Sequence, residues 1–480
     1  MPTHNSKSSL VLAVDLDGSL IKTDLLWESA TRYLASNPLR AFLLPGLLRS
    51  GRPQLKSTLV ENTQLDVTTL PYRQDVLDWL RAEKAKGRRL VLATASDHRL
   101  ANAISEHLGI FDEVLATNGT INLSGEAKRE ALVSRFGERG FDYVGNDNID
   151  LKVWKSAENA IIVSPPKGLA EKAAKVATVE HVFETAKPNT FALWARALRL
   201  HQWLKNLLVF IPLAAAHRFG EVDLIAQSLL AFIAFGLCAS SVYLLNDLID
   251  SQDDRQHRSK CKRPFASGDL SILHGWFAVP IPLLTAVAIT LTFLSEHFAL
   301  ALLCYYGLTL AYTFKLKRVL LLDVVTLAGL YTLRIIAGAF AIGVPLSFWL
   351  LSFSMFIFMS IALIKRYTEL LDARQRGVSK MLGRGYRPDD LQMVASLGAA
   401  AGYLSVLVLA LYIQDPVSLT LYRSPQWIWG ACPILLYWVS RSWMLAHRGQ
   451  MHDDPMVFAF KDRVSLVCGA LFMLAFAMAR

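Results

Sequence analysis

The sequence has little charge, few cysteines and no paired-cysteine motif. Only 19% of its 480 residues are Asp, Glu, Lys or Arg, which is below the roughly 25% usual for a soluble globular chain. Its five cysteines are widely spaced, so nothing indicates a zinc site, a redox motif or a disulfide scaffold. The apolar fraction of 53% excludes an intrinsically disordered chain.

Charge and hydrophobicity are divided unequally along the chain. Residues 1–195 carry a net charge of +1, whereas residues 196–480 carry +9 and nearly all the long apolar runs. A half that is both basic and very apolar is typical of an oriented membrane protein, not of a nucleic-acid-binding protein. Asp15 and Asp17 come too early to allow a signal-peptide core, so we expect the first half to stay in the cytoplasm.

In the first half, the pattern of apolar residues predicts alternating strands and helices over residues 9–185. The predicted strands are short and apolar, and they lie at 10–14, 89–93, 113–116, 143–144 and 160–163. Such alternation predicts a parallel α/β sheet with active residues at the carboxyl ends of its strands. A Leu-rich stretch at about 24–75 is interpreted as an inserted helical cap. A boundary near 187–189 gives an N-terminal domain of about 1–190.

From residue 203 the pattern changes to apolar runs of about 20 residues, the length that crosses a bilayer. We predict an all-α domain over 196–480 with nine spans, at about 203–217, 224–248, 274–295, 298–314, 320–342, 346–364, 393–413, 427–446 and 463–479. Lys and Arg concentrate in the loops predicted to lie inside. We therefore expect an integral protein of a bacterial plasma membrane, with a cytoplasmic N-terminal domain and the C-terminus on the outer face.

A run of carboxylates follows the first predicted strand as Asp15-Leu-Asp17-Gly-Ser. One carboxylate can attack phosphorus, and the other can donate a proton to the leaving oxygen. Phosphoryl transfer also needs hydrogen-bond donors and positive charge at the phosphoryl oxygens. Candidates for these roles are Thr94, Ser96 and Lys128. Further along, Asp147 and Asp150 are candidate ligands, with Asp15 and Asp17, for Mg²⁺, which prefers oxygen.

A second set of acids lies at the inner end of the second predicted span. Asp247, Asp250 and Asp254 are spaced i, i+3 and i+7, so they share one face of a helix, with Asn246 beside them. Because three carboxylates on one face repel one another, we expect them to hold Mg²⁺ chelated by a diphosphate. Lys260 and Arg263 in the following basic loop would bind phosphate.

Other polar side chains lie within the predicted spans or at their inner ends, where an ionisable group is costly and is a functional candidate. These candidates for substrate binding are Lys205, Tyr312, Lys315, Lys317, Asp323, Arg334, Lys365 and Arg366. Asp323 and Arg334 are about three helical turns apart on one face. They could form a structural pair or reach the same cavity as the acidic cluster. Lys365 and Arg366 could equally be topology charges.

In their order and spacing, Asp15, Asp17, Thr94, Lys128 and the acids of 145–150 resemble the haloacid dehalogenase superfamily of phosphatases, over about residues 9–165. The resemblance implies a Rossmann-like fold with a cap, Asp15 as nucleophile, Asp17 as acid–base group, and phosphoryl binding by Thr94 and Lys128. One departure is Asn146, which stands where that family usually has Asp. A degenerate domain kept for stability or docking is therefore the alternative.

The second half resembles the UbiA superfamily of intramembrane prenyltransferases, over about residues 196–480. The resembling stretches are 201–206, the NDxxDxxxD run from Asn246, Lys260 with Arg263-Pro264, 312–317 before Asp323, and 365–369. These details look most like the members that transfer phosphoribose to decaprenyl phosphate. One departure is Arg258, which replaces a common proline. The family's second acidic motif is also incomplete in this sequence, where Asp323 is its main acid.

The two resemblances together imply one reaction sequence in the membrane. The membrane half would transfer 5-phosphoribose from phosphoribosyl diphosphate to a polyprenyl phosphate. The fused phosphatase would then remove the 5-phosphate, giving polyprenylphosphoryl ribose for cell-envelope polysaccharide synthesis, with one Mg²⁺ in each domain. One alternative is a prenyl diphosphate-dependent aromatic or quinone prenyltransferase, and another is a catalytically lapsed scaffold or transporter. The lipid chain length and any homo-oligomer stay open.

Overall fold

The structure is a computed structural model that describes residues 10–37, 40, 43–49, 51–118, 121–184, 189–257, 259–377, 385–416, 421–451 and 454–480. The chain forms two compact units. The first comprises Met1–Leu198 and Tyr243–Val279, and the second comprises Arg199–Val242 and Pro280–Arg480. The predicted boundary near 187–189 and Arg258 fall largely outside the described residues. The predicted domain limits stay a prediction.

The first unit contains a six-stranded sheet in the order β3-β2-β1-β4-β5-β6, in which all neighbouring strands are parallel. Its strands are β1 (Val11–Val14), β2 (Leu90–Asp97), β3 (Glu113–Thr117), β4 (Phe141–Gly145), β5 (Asn159–Val163) and β6 (Thr178–Phe183). The predicted parallel α/β sheet is confirmed. Five strands lie at predicted positions, whereas β6 was not predicted.

Both faces of this sheet are covered by apolar cores. Along β1, Leu12 and Val14 belong to one core and Ala13 belongs to the other, because successive side chains of a strand point to opposite faces. Burial on both sides explains the continuous apolar character of the central strands. The rigid sheet therefore holds the residues at its carboxyl edge in fixed positions.

Among the described residues before 198, the first unit contains nine α-helices. They are α1 (Leu25–Ser36), α2 (Leu44–Arg49), α3 (Arg52–Glu61), α4 (Gln74–Ala85), α5 (His98–Leu108), α6 (Glu126–Phe136), α7 (Leu151–Trp154), α8 (Leu169–Ala173) and α9 (Thr190–Ala197). Helices α1 to α3, here called the cap, lie between β1 and β2 within the stretch 24–75 for which a cap is predicted. Asp24 starts α1 as its N-cap, because its carboxylate accepts a bond from the amide of Leu26.

The described residues after 198 are mostly helical. The helices there are α10 (Ile211–Ala215), α11 (Val222–Ile249), α12 (Ser251–Arg255), α13 (Ile272–Ala278), α14 (Pro280–Phe293), α15 (Glu296–Phe314), α16 (Leu322–Ile342), α17 (Phe348–Gln375), α18 (Leu391–Ile413), α19 (Ala431–His447), α20 (Pro455–Lys461) and α21 (Arg463–Ala479). A break divides α16 from α17 as predicted, since Gly343 ends α16 with a left-handed backbone, φ 66°.

Six helical segments in the described ranges are long and apolar enough to cross a membrane, and α20 with α21, bent by 82°, would make a seventh. These six match the predicted second to seventh spans, and the chain is an integral membrane protein. The predicted first, eighth and ninth spans correspond to shorter helices. A 3₁₀ helix at Leu200–Phe210 precedes α10, and α19 and α21 each have 17 residues. The count of nine spans stays a prediction.

Candidate active sites

The first candidate site lies at the carboxyl edge of the parallel sheet. Asp15 directly follows β1 and is 8% exposed. Helix α6 supplies Lys128, whose Nζ donates to Asp15 Oδ1 over 2.6 Å. Thr94 and Ser96 come from the end of β2, and the Thr94 hydroxyl accepts a bond from the amide of Ser96 over 3.0 Å. Most of the residues predicted for phosphoryl chemistry therefore converge here, as expected for the strand ends of such a sheet.

Asp17 is held between the cap and β2. Its Oδ1 accepts a bond from the amide of Leu25 over 2.9 Å, and its Oδ2 accepts one from Ser96 Oγ over 2.6 Å. Burial, reinforced by the nearby Asp24 carboxylate, raises the pKa of Asp17 to about 7. A carboxyl group with this pKa keeps a proton near neutral pH, which suits a general acid.

Lys128 and Asp15 belong to a buried network that also contains Tyr143, which was not predicted from the sequence. Lys128 Nζ also donates to the Tyr143 hydroxyl over 2.9 Å, and this hydroxyl donates to Asp150 Oδ1 over 3.0 Å. Burial alone would lower the pKa of Lys128, but the carboxylates of Asp15 and Asp150 outweigh it and raise that pKa. The ammonium therefore stays charged beside Asp15. Tyr143 was missed because a tyrosine on a strand has no distinctive local signal.

Asp150 and Asp147 occupy different environments. Asp150 Oδ2 accepts bonds from the amides of Asn146 and Asp147 over 2.9 and 3.0 Å. Burial and the Asp15 carboxylate raise the pKa of Asp150 to about 6. Asp147 is exposed and caps the short 3₁₀ helix Asn148–Asp150. The buried acid of this loop therefore faces the network, whereas the exposed acid lies at the surface.

Asn146 packs directly on the turn that follows β1. Its Oδ1 accepts a bond from Ser19 Oγ over 3.0 Å. Gly18 has φ 78°, and a Cβ added there would lie 2.3 Å from Asn146 Nδ2. The Asn146 side chain therefore packs against the turn formed by residues 15–19.

The donor set of this site fits a hard cation, although the described part of the chain has no group of three or more His, Cys, Asp or Glu side chains arranged to hold a metal. Carboxylate oxygens are the ligands that Mg²⁺ prefers. Burial raises the pKa of both Asp17 and Asp150, and repulsion from neighbouring carboxylates, Asp24 for Asp17 and Asp15 for Asp150, raises it further. A bound cation would relieve this repulsion.

The second candidate site is the acidic cluster at the end of α11. The amide of Asp250 donates to the Asn246 carbonyl over 2.9 Å, and the amide of Asp254 donates to the Asp250 carbonyl over 2.8 Å. The helical hydrogen-bond pattern thus continues from α11 into α12, although Asp250 lies between the two helices. Asp247 and Asp254 are 2% and 3% exposed, so two carboxylates of the predicted face are buried together.

Arg263 bridges this buried pair of carboxylates. Its Nη1 lies 3.1 Å from Asp247 Oδ1 and 2.5 Å from Asp254 Oδ2. Burial raises the pKa of Asp254 to about 6, while Arg263 and Lys260 act in the opposite direction. Because the two acids already gather around one positive group, their oxygens also suit Mg²⁺.

In the second unit, Asp323 pairs with Arg366 and not with Arg334, so the alternative of a structural Asp323–Arg334 pair is wrong. Asp323 lies 2.8 Å from Nη2 of Arg366, and both side chains are fully buried. Asp323 Oδ1 also accepts a bond from the Tyr386 hydroxyl over 2.6 Å, and Arg366 contacts Glu369 one turn further along α17. Asp323 therefore joins α16 to α17 through a buried ion pair, which a pattern along one helix could not reveal.

Arg334 is instead enclosed by polar and aromatic groups. Its Nε donates to Asn206 Oδ1 over 2.9 Å and its Nη2 donates to the Tyr305 hydroxyl over 3.1 Å. The rings of Phe235, Tyr305 and Tyr331 surround the guanidinium, with centroids at 5.0 to 5.5 Å. This buried cation, 4% exposed, is stabilised mainly by dipoles and π faces.

Lys205 and Lys365 meet at an acid that sequence reasoning missed. Asp454 Oδ2 accepts bonds from Lys205 Nζ over 2.9 Å and from Lys365 Nζ over 3.1 Å. Asp454 also caps α20, and its position before Pro455 was the one available signal. Two cations share one carboxylate, which leaves net positive charge at this place.

The remaining predicted residues lie at the end of α15. Tyr312 is in the last turn of α15 and is half-buried. Lys315 is exposed, and Lys317 is half-buried in the 3₁₀ turn Leu316–Arg318.

Known proteins similar to this chain share its membrane half or nearly its whole length. Residues 207–474, more than half of the chain, match the UbiA prenyltransferase family. The chain belongs to this family. Decaprenyl-phosphate phosphoribosyltransferase of Mycolicibacterium smegmatis is 32% identical over 299 residues, which cover 59% of this chain and 93% of that one. The predicted UbiA resemblance is confirmed.

Two rhizobial proteins are also similar to this UbiA family member. The uncharacterized protein y4nM of Sinorhizobium fredii is 37% identical over 472 residues, covering 98% of this chain and 91% of that protein. The nodulation protein NoeC of Azorhizobium caulinodans is 38% identical over 299 residues, covering 62% of this chain and 96% of NoeC.

Solved structures resemble each half separately. A UbiA homolog from Archaeoglobus fulgidus, bound to GPP and Mg²⁺, covers 59% of this chain at 17% identity with a TM-score of 0.45. A substrate-bound phosphoserine phosphatase covers 38% of this chain at 16% identity with a TM-score of 0.28.

Proposed function

We propose that this protein transfers 5-phosphoribose from phosphoribosyl diphosphate to a polyprenyl phosphate, and that its N-terminal domain then removes the 5-phosphate. In the first step, a phosphate oxygen of the lipid bonds to the anomeric carbon as the bond from that carbon to diphosphate breaks. In the second step, the ribose 5-phosphate ester is hydrolysed to inorganic phosphate and polyprenylphosphoryl ribose. The observation that carries the proposal is the 32% identity with a decaprenyl-phosphate phosphoribosyltransferase over nearly its full length.

The acidic cluster supports the first step. Asp247, Asp250 and Asp254 would hold Mg²⁺, which would balance the charge of the leaving diphosphate. Arg263 already lies between two of these carboxylates, so it would shift toward the diphosphate when a metal ion takes over its role. Lys260 would bind the donor phosphates from the same loop, since ammonium groups bind phosphate as point charges.

Charged groups of the second unit supply candidates for holding the anionic parts of the substrates. Lys205 and Lys365 share one carboxylate, so each retains charge for a phosphate. Arg334 is fixed by Asn206 and Tyr305, which favours an orienting role. Lys315 and Lys317 are further candidates for phosphate. Asp323 and Arg366 would support the helices around them, because the two neutralise each other.

The first candidate site supports the second step. Asp15 would attack the 5-phosphate while Asp17 protonates the departing ribose 5-oxygen. Water, giving its proton to Asp17, would then break the bond between phosphorus and Asp15 and release inorganic phosphate. Lys128, Thr94 and Ser96 would bind the phosphoryl oxygens. Asp15 and Asp150 would hold Mg²⁺, which would offset the negative charge of the phosphate. Linking the domains in one chain raises the effective concentration of the first product at the second site.

Donor choice tests the proposal against an aromatic or quinone prenyltransferase. Purified protein with Mg²⁺ is incubated with polyprenyl phosphate and labelled phosphoribosyl diphosphate, or with labelled prenyl diphosphate and an aromatic acceptor. We expect label to enter the lipid from phosphoribosyl diphosphate and not from prenyl diphosphate. We also expect D247N to abolish this transfer. Transfer only from prenyl diphosphate would refute the phosphoribosyl assignment. Lipid products unchanged by D247N with D250N would instead indicate a lapsed acidic site.

A further inference from the structure

The cap helix α1 presents one face to the segment that carries the acidic cluster, and both belong to the first compact unit. Trp27 packs against a core that contains Leu248 and Phe265 of that segment together with side chains of α9. One turn later, the Thr31 hydroxyl accepts a bond from Trp276 Nε1 over 2.9 Å. Residues 27, 28 and 31 lie on the same helical face. The opposite side of α1, with Tyr33, packs inside the cap.

A buried ion pair lies in the middle of this contact. Arg255 Nη1 lies 3.2 Å from Glu28 Oε2, and its Nη2 contacts Glu28 Oε1. The side chains are 5% and 1% exposed. Such a two-point contact of Arg with a carboxylate fixes orientation as well as distance. Neither residue has a role in the chemistry proposed above.

Arg255 connects this pair to the acidic cluster through the backbone. It directly follows Asp254, and its Nε donates to the carbonyl of Ala266 over 2.9 Å. Arg255 therefore ties α12 to the far end of the loop that carries Arg263. At the other end of α1, the amide of Leu25 donates to Asp17. Helix α1 thus contacts Asp17 of the first candidate site at its start, and Arg255, which directly follows Asp254 of the acidic cluster, further along.

We propose that α1 of the phosphatase cap is part of the transferase, with Glu28 as a positioning residue that holds Asp254 and the Arg263 loop through Arg255. The fused domain then does more than raise a local product concentration, because the transferase site depends on a side chain of the phosphatase cap. The proposed effect of Glu28 on phosphoribosyl transfer rests on the proposed function, whereas the structural support of residues 250–266 by α1 does not.

The test compares a buried pair with an exposed pair on the same two helices. E28Q removes the charge of the buried pair and keeps its shape. R32Q is the matched control, because Arg32 lies 3.9 Å from Asp253 at the exposed surface of α1 and α12. Full-length variants are compared by amide hydrogen exchange over 250–266, by transfer from phosphoribosyl diphosphate, and by hydrolysis of p-nitrophenyl phosphate.

We expect E28Q to speed exchange over 250–266 and to lower the kcat of transfer, each by about 10-fold or more, because a buried guanidinium loses its counter-charge. Hydrolysis of p-nitrophenyl phosphate should stay within about two-fold of wild type, and R32Q should change every readout by less than about two-fold. E28Q with R255Q together should be no worse than the more damaging single change, since contacting residues are not additive.

Unchanged exchange in E28Q, or equal effects of E28Q and R32Q, would overturn the proposal. Faster exchange with normal transfer would overturn the positioning role of Glu28. If the wild-type protein transfers no phosphoribose, the proposed function fails, and the exchange comparison still decides whether α1 supports the segment. If E28Q does not fold, T31V removes only the bond from Trp276 and should speed exchange over 272–278; no change there would count against the support.

Discussion

Replacing Lys128 by methionine should destabilise the carboxyl edge of the sheet strongly. The ammonium lies 2.6 Å from Asp15 Oδ1 and is 4% exposed. At this distance an effective dielectric constant of about 20 gives an attraction of about 6 kcal/mol. Part of it is offset by the cost of burying the ammonium, so removing one partner should cost about 3–5 kcal/mol. The methionine fills the space, and the loss is therefore mainly electrostatic.

Amide hydrogen exchange over β1 and β4 measures this cost locally. K128M should speed exchange there by about 100- to 3,000-fold, because each 1.4 kcal/mol of the lost 3–5 kcal/mol corresponds to about tenfold. K155M, which removes an exposed lysine after α7, is the control and should leave exchange within about two-fold. Adding D15N to K128M should restore much of the protection. Exchange in K128M equal to that in K155M would refute the idea that Lys128 stabilises the acids of this site.

Three other perturbations have defined outcomes. G18A should destabilise the phosphatase half by about 1–2 kcal/mol, read by thermal unfolding, since the left-handed backbone disfavours a side chain; an unchanged midpoint would contradict the contact with Asn146. Asp17 must be protonated to act as an acid, and its pKa is about 7, so the rate of hydrolysis of an alkyl phosphate should fall about tenfold per pH unit above 7. The rate of hydrolysis of p-nitrophenyl phosphate, which has a good leaving group, should show little decline. R366M should cost about 3–5 kcal/mol of stability in detergent, because it leaves the Asp323 carboxylate without its counter-charge. Adding D323N to R366M should relieve this loss, and an equal loss in R366M and in the double variant would contradict the pair.

Local patterns predicted much of the first unit. Strands β1, β2, β4 and β5 are largely buried, so short runs of hydrophobic residues located them. The edge strand β3 is only partly buried, but its apolar residues 114–116 still marked it. Asp15 and Asp17 follow β1, and strand ends meet at one edge, so their convergence with Lys128 could be expected. Strand β6 escaped prediction because it is largely exposed, with charged and polar residues such as Glu180 and His181, and therefore has no apolar run.

Contacts between distant elements could not be predicted. The helical period placed Asp323 and Arg334 on about the same face, but tertiary packing brings Arg366 of another helix to Asp323. Glu28 and Arg255 are 227 residues apart, and each alone resembles an ordinary surface charge. Periodicity describes one element at a time, whereas these pairs depend on how elements pack against each other.

The mass of the lipid product tests the account most directly. Wild-type protein and D15N are each incubated with phosphoribosyl diphosphate, polyprenyl phosphate and Mg²⁺, and the extracted lipids are analysed by mass spectrometry. We predict polyprenylphosphoryl ribose from the wild-type protein and its 5-phosphorylated form from D15N. The same product from both proteins would contradict the phosphatase role, and a lipid without pentose in both would contradict the transferase assignment.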